Sequence, residues 1–311
     1  MKEVEQVEQQ LESPESKIQI LMNSVLFVAN EPLIQSQYEK TREPGRFPLL
    51  WGKEKREIFD ARINNLTHHL GGPPEFYLLR DGQEAPAADN YPDAVMREVF
   101  EVFFRARKSV IRADLFKTGS AILKEHPELL DEQLDRDAQK VLVREADSAF
   151  WENAEAAYIR LSSFWDRVGQ VLDFAFFNIR KFDQNGFTSV MDRIQANAVP
   201  MNDGFKNSGA WKRLRSFQTS EKEDGLKWLL LRRNLVVHSL HLHPLPASGE
   251  IFFKSQFNHL DAAHREKLRP RAPAEEADLL VQHLTKAREL FIDFLTVAMF
   301  SASRKTDSFV R

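Results

Sequence analysis

The chain has 311 residues, 42% hydrophobic and 29% charged, enough for one large or two ordinary domains with buried cores. Its 43 Lys and Arg against 46 Asp and Glu leave a formal charge of −3, so no global positive field marks a nucleic-acid binder and any RNA contact must be local. The absence of cysteine excludes disulfide staples, thiolate metal sites and cysteine nucleophiles, and fits a reducing compartment, with the cytoplasm as the expectation.

Residues 1–16 are rich in Glu and Gln and lack the basic start and apolar core of a secretory signal, so they read as a polar arm. Residues 18–28 form a short apolar segment, helix or strand by pattern, followed by the punctuation of Pro32, Pro44, Gly45 and Pro48. Residues 54–70 have helical composition and stop at Gly71-Gly72-Pro73-Pro74, after which Phe76-Tyr77-Leu78-Leu79 suits a brief strand before a turn at Asp81-Gly82. From Pro92 the pattern is helical, with Val95, Val99, Phe100 and Phe103 on the packing side. The cations Arg105, Arg107, Lys108 and Arg112 there are a solvated face on the plainer reading and an RNA contact on the other. Helix continues over 115–143 with a break near His126-Pro127, and acids dominate 128–137.

The longest periodic element covers 150–179, where Phe150, Ala154, Tyr158, Leu161, Trp165 and Leu172 lie on one stripe. Near its end Phe174 and Phe177 occupy the opposite side, so that end must contact either the N-terminal half or a second subunit. A shorter helix is expected at 187–196 and a Gly and Asn loop at 200–209, leading to Trp211-Lys212-Arg213-Leu214-Arg215. One aromatic with three cations is the best local pattern for touching phosphates and a base, although it equally suits an ordinary helix start. Ser220-x-x-Glu223 has the capping-box form and is expected to start the next helix, which Pro244 and Pro246 end. Residues 247–271 are irregular, with Ile251-Phe252-Phe253 and a second basic patch at His264, Arg265, Lys267, Arg269 and Arg271. Pro273-Ala274-Glu275-Glu276 then opens a last helix with acids in its first turn. The apolar run 290–300 is interrupted by Asp293 and is too short to span a bilayer, so no membrane association is expected.

Within the helix that follows Ser220, polar residues interrupt one of the most apolar runs in the chain. At about 100° per residue, Glu223, Lys227, Asn234, His238 and His241 fall in one sector, a polar seam. Arg233 lies outside it among Leu226, Leu229, Leu230, Val237 and Leu240, and either reaches past them or faces a partner, since a buried unpaired cation is costly. Arg233-Asn234-x-x-x-His238 resembles the R-x4-6-H motif, with a polar residue after the arginine, of the HEPN superfamily, and the resemblance covers roughly residues 150–300. It implies a HEPN-like four-helix up-and-down bundle at 146–311, and the helical patterns before it make residues 1–145 an N-terminal, mostly helical extension, so that the whole chain is expected to be all-α. It further implies a metal-independent endoribonuclease without cofactors, acting as a toxin or defence effector, with RNA as substrate and an antitoxin or regulatory protein as a further partner.

Such chemistry deprotonates the ribose 2′-hydroxyl, stabilises the phosphorane and protonates the leaving 5′-oxygen. His238 suits the proton transfers, Arg233 the phosphate clamp and Asn234 an orienting hydrogen bond, with Lys227, His241, Trp211, Lys212, Arg213 and Arg215 as RNA contacts. Arg233 and His238 diverge by roughly 140° and about 7 Å along one helix, so a site needs two copies facing each other and a homodimer is expected. Two other readings stand beside this one: a non-catalytic HEPN-like module that binds RNA, nucleotide or a protein, and a seam that merely fixes helix register. His238, His241 and His243 could chelate zinc, but no carboxylate lies within several residues to complete a hydrolytic site. Acyl-transfer, dinucleotide and NTPase motifs are absent.

Overall fold

A computed structural model describes residues 14–52, 54–71, 91–177, 186–238 and 271–301, and divides into two compact units, Met1–Arg46 and Phe47–Arg311. Among the described residues of the first unit, helix α1 (Pro14–Lys40) takes up the apolar segment 18–28 as helix and continues through Pro32.

The second unit contains α2 (Arg56–Gly71), α3 (Tyr91–Glu125), α4 (Arg136–Phe177), α5 (Phe187–Asn197), α6 (Asp203–Asn207), α7 (Gly209–Thr219), α8 (Leu226–His238) and α9 (Pro273–Met299). Every regular element among the described residues is helical, as the all-α expectation requires. The strand expected at 76–79 and the irregular segment 247–270 lie outside the described residues. Among the described residues no helix is long and apolar enough to cross a membrane.

The framework is the antiparallel pair α3 and α4. Tyr91 meets Phe174 at 5.1 Å, Phe103 meets Phe164 at 5.6 Å, and Lys124 reaches Asp147 at 2.8 Å, so rising numbers on one helix match falling numbers on the other. The break at His126-Pro127 is a 3-10 turn, Pro127–Leu130, and α4 starts at Arg136, well before the expected residue 150. Its start has a local cause in the acid-rich stretch: the Asp135 carboxylate accepts the Ala138 N–H at 2.7 Å, and Asp137 stands in the first turn. The boundary expected between residues 145 and 146 therefore falls inside one uninterrupted helix.

The core centres on Phe291 of α9, fully buried, with ring centroids 5.9 Å from both Phe59 of α2 and Phe100 of α3 and 6.2 Å from Phe164 of α4. Four helices thus share one aromatic contact, the kind of burial that stabilises by about 2–3 kcal/mol per large side chain. The 200–209 stretch, expected as loop, holds the short helix α6. Asn202 caps it by accepting the Phe205 N–H at 2.9 Å, and the buried Phe205 ring stacks on Phe176 at 5.5 Å and Phe300 at 4.9 Å. The second apolar side of α4 is covered within the chain. Phe174 lies against Tyr91 of α3, and the Arg193 guanidinium of α5 sits 4.2 Å over Phe177, so this end is not a free dimer face.

One glycine sets the approach of α5 to α4. A Cβ at Gly169 would lie 2.8 Å from the Phe187 Cα and 3.1 Å from its N, backbone atoms that cannot swing aside. Gly169→Ala is therefore expected to push the start of α5 outward and lower stability by about 1–3 kcal/mol in urea unfolding. An unchanged midpoint would mean that the two helices do not hold this spacing in solution.

Candidate functional site

The capping box expected at Ser220-x-x-Glu223 does not form. Ser220 closes α7, its Oγ accepts the Lys222 N–H at 3.2 Å, and the Glu223 carboxylate pairs with Arg271, so both halves of the box are engaged elsewhere. The chain turns instead through Gly225, whose carbonyl accepts the Leu229 N–H at 3.2 Å. No side chain fits there, because a Cβ would meet the Ser220 backbone oxygen at 2.6 Å. Helix α8 then runs from Leu226 to His238.

Which stripe of α8 is buried decides the roles of its polar residues. Leu226, Leu229, Arg232 and Leu235 face inward, Arg233 is half-buried, and Asn234 and Val237 are exposed. Arg232, rather than Arg233, is the arginine that enters the core. Of the expected seam, Glu223 precedes the helix, while Lys227 pairs at the surface with Glu221 at 2.9 Å and Asn234 faces outward. His238 is the last residue of α8, and His241 and His243 lie outside the described residues.

Beneath α8 is a buried polar cluster. Arg232 Nη2 donates to Glu276 Oε1 of α9 at 2.6 Å, with the two side chains 4% and 0% exposed. Its guanidinium lies 5.3 Å from the Trp228 ring and 5.8 Å from the Tyr158 ring. Burial, followed by the Glu276 charge, holds the Tyr158 hydroxyl well above its ordinary pKa, so it stays protonated. His283 of α9 stacks on Trp228 at 5.5 Å, and burial pushes its imidazole down to about 4, which outweighs the attraction of Asp224.

That depression makes His283 a source of acid sensitivity. The unfolded chain takes up a proton near pH 6.5 that the native chain refuses until about pH 4, so the stability this group supports is complete above the unfolded value and is lost as the pH falls through that window. The expected loss is about 2–3 kcal/mol between pH 7.5 and 4.5. Denaturant melts of His283→Gln should lack this component; equal pH slopes in both proteins would show that His283 is protonated when native.

Arg233 faces a different setting. Its Nη1 donates to the Asn234 side-chain oxygen at 3.0 Å, and its charge acts on Asp166 of α4. Asp166 is half-buried and its carboxyl is held above the ordinary range by burial, opposed first by a hydrogen bond from the Phe187 N–H and then by Arg233 and Arg167. Gly169, by admitting α5, is what brings the Phe187 N–H to that carboxylate. Asp166 is not among the site residues expected from the sequence. The signal was present, since Asp166 follows Trp165 and Asp173 follows Leu172, two acids one heptad apart in the apolar stretch of α4.

The remaining expected RNA contacts do not gather around Arg233. Trp211 is buried at 3% exposure and donates Nε1 to Gln195 at 3.2 Å, so it is a core residue. Arg213 grips Asp293 of α9 through two bonds of 2.8 and 2.6 Å, and Arg215 pairs with Asp192. Lys212 is exposed. In the basic cluster of α3, Arg107 donates to the Phe47 carbonyl at 3.1 Å and Arg105 pairs with Glu101 at 3.7 Å. No protein-family model matches the chain, and comparisons with curated proteins and with solved structures find no match.

Proposed function

We propose that this chain is a metal-independent endoribonuclease of the HEPN kind, active as a homodimer and serving as a toxin or defence effector restrained by an antitoxin or regulatory protein. The observation that carries the reading is the state of Arg233: half-buried, oriented by Asn234 at 3.0 Å, within the field of Asp166, and on the helix that ends at His238. A structural arginine would be consumed by a carboxylate, as Arg232 is by Glu276. Arg233 has its fork oriented by a neutral amide and keeps its charge available for a phosphate.

In this scheme His238 of one copy removes the 2′-hydroxyl proton, and the 2′-oxygen attacks phosphorus. Arg233 stabilises the charge on the equatorial oxygens. The bond from phosphorus to the 5′-oxygen breaks as the same histidine, now protonated, delivers its proton to that oxygen, leaving a 2′,3′-cyclic phosphate and a 5′-hydroxyl. Asp166 serves as a positioning residue that holds Arg233 without a direct ion pair.

The test is incubation of the purified full chain with end-labelled RNA in excess EDTA. Cleavage to 2′,3′-cyclic ends by wild type and not by His238→Ala supports the enzyme; cleavage undiminished in the variant assigns the activity elsewhere. RNA that is retained uncut, with affinity falling steeply as salt rises, would establish a binding module instead.

A further inference from the structure

Helix α1 carries ten large apolar side chains that are 49–70% exposed, all between Ile18 and Ile34. Single exposed apolar residues are ordinary, but ten on one helix form a surface that needs an occupant. Their arrangement around the axis narrows the choice. At about 100° per residue, Ile18, Leu21, Met22, Val25 and Val28 lie in one broad stripe, and Ile20, Phe27 and Ile34, seven residues apart, lie in a second narrow one. Polar strips separate them, with Gln19, Asn23 and Asn30 on one side and Ser24, Glu31 and Gln35 on the other.

A helix resting on a membrane has one apolar face and a cationic polar face. This helix has two apolar stripes, and between 18 and 34 its only charged residue is Glu31. Over residues 18–30 the broad stripe instead follows two heptads of a coiled coil, which Pro32 and Gln35 at the next core positions bring to an end. Ile18 and Val25 take one core position, Leu21 and Val28 the other, and the outermost position is polar at Asn23 and Asn30. β-Branched residues at the first core position favour two parallel strands. At about 100 Å² per half-exposed large side chain the five residues of the broad stripe offer about 500 Å², so a pair of such stripes buries about 1,000 Å², the lower bound for a specific interface.

We infer that α1 is a self-association helix whose broad stripe packs in parallel against α1 of a second copy of this chain. The absence of charge from Ile18 to Asn30 leaves no repulsion in that pairing. The pairing supplies the second copy that the ribonuclease reading needs, but it rests on the surface of α1 alone.

The chain contains no cysteine, so single introduced thiols report the interface without background. Light scattering of the full-length protein should give twice the chain mass of 36.0 kDa, reverting to the single mass in Leu21→Glu/Val25→Glu. Under mild copper–phenanthroline oxidation, Val25→Cys should cross-link to a covalent dimer and Asn23→Cys should not. A monomeric wild type, a double variant that stays dimeric, or cross-linking equal at both positions overturns the proposal. So does sedimentation of the wild type with phosphatidylcholine vesicles in place of dimer formation. Ribonuclease activity retained by the monomeric variant would overturn the two-copy site while leaving this interface intact, so the two ideas fail separately.

Discussion

Replacing Arg232 by alanine is expected to lower the unfolding free energy by about 3–5 kcal/mol, because it leaves the Glu276 carboxylate, 0% exposed, without its cation. The loss has three parts with one sign. The charge-assisted bond at 2.6 Å disappears, the stacking of the guanidinium against Trp228 and Tyr158 is lost, and a cavity opens under α8. At roughly 2–4 °C per kcal/mol for a chain of this size, the midpoint of a thermal melt should fall by about 10 °C or more. The double replacement Arg232→Met/Glu276→Leu should recover most of this. The native pair is joined by one hydrogen bond, with Arg232 Nε and Glu276 Oε2 both buried and without partners, so the charges do not repay their desolvation fully. A single variant within 1 kcal/mol of wild type would mean that water reaches the pair.

The cluster around Arg232 shows which parts of the molecule could be read from the chain. Helix class and order were legible because long stripes such as Phe150 to Leu172 and Leu280 to Phe294 repeat at helical spacing, and these side chains are buried. Local starts were less so: Asp135 caps α4 from within a stretch that composition marks only as acidic, and Asn202 caps α6 from one that reads as loop. The box at Ser220 has the right residue types, but Arg271, 48 positions further on, takes the glutamate. Local pattern cannot see such a competitor.

The inward stripe of α8 was ambiguous for a simple reason. In Leu226-Lys227-Trp228-Leu229-Leu230-Leu231-Arg232-Arg233 apolar residues occur on nearly every side, so periodicity does not choose a face. The choice is made by Tyr158, Glu276 and His283 on α4 and α9, from which a cation with an aromatic setting could have been anticipated only by knowing that those helices meet. For the same reason Trp211, Arg213 and Arg215, read together as a possible RNA patch, disperse. The indole enters the core, and the two guanidinium groups take separate carboxylates on α9 and α5.

Two adjacent arginines thus have opposite expected phenotypes, and the second of them bears the functional proposal. Arg233→Ala should leave stability within about 1 kcal/mol of wild type, since its polar contact is to the exposed neighbour Asn234. Cleavage of RNA in EDTA should fall by at least about 100-fold, as when one preorganised group stabilising transition-state charge is removed. Arg233→Lys should be intermediate, retaining charge without the planar fork. The helix geometry adds a test that a structural role would not move. Positions 233 and 238 fall roughly 140° apart around an α-helix, so on this proposal neither chain completes a cleft alone. Refolding equal amounts of Arg233→Ala and His238→Ala chains together makes roughly half of the dimers mixed, each with one intact arginine and one intact histidine facing the same cleft. Activity should return in the mixture although each parent is inactive. A mixture as inactive as its parents would show that the arginine and histidine do not act across a shared site.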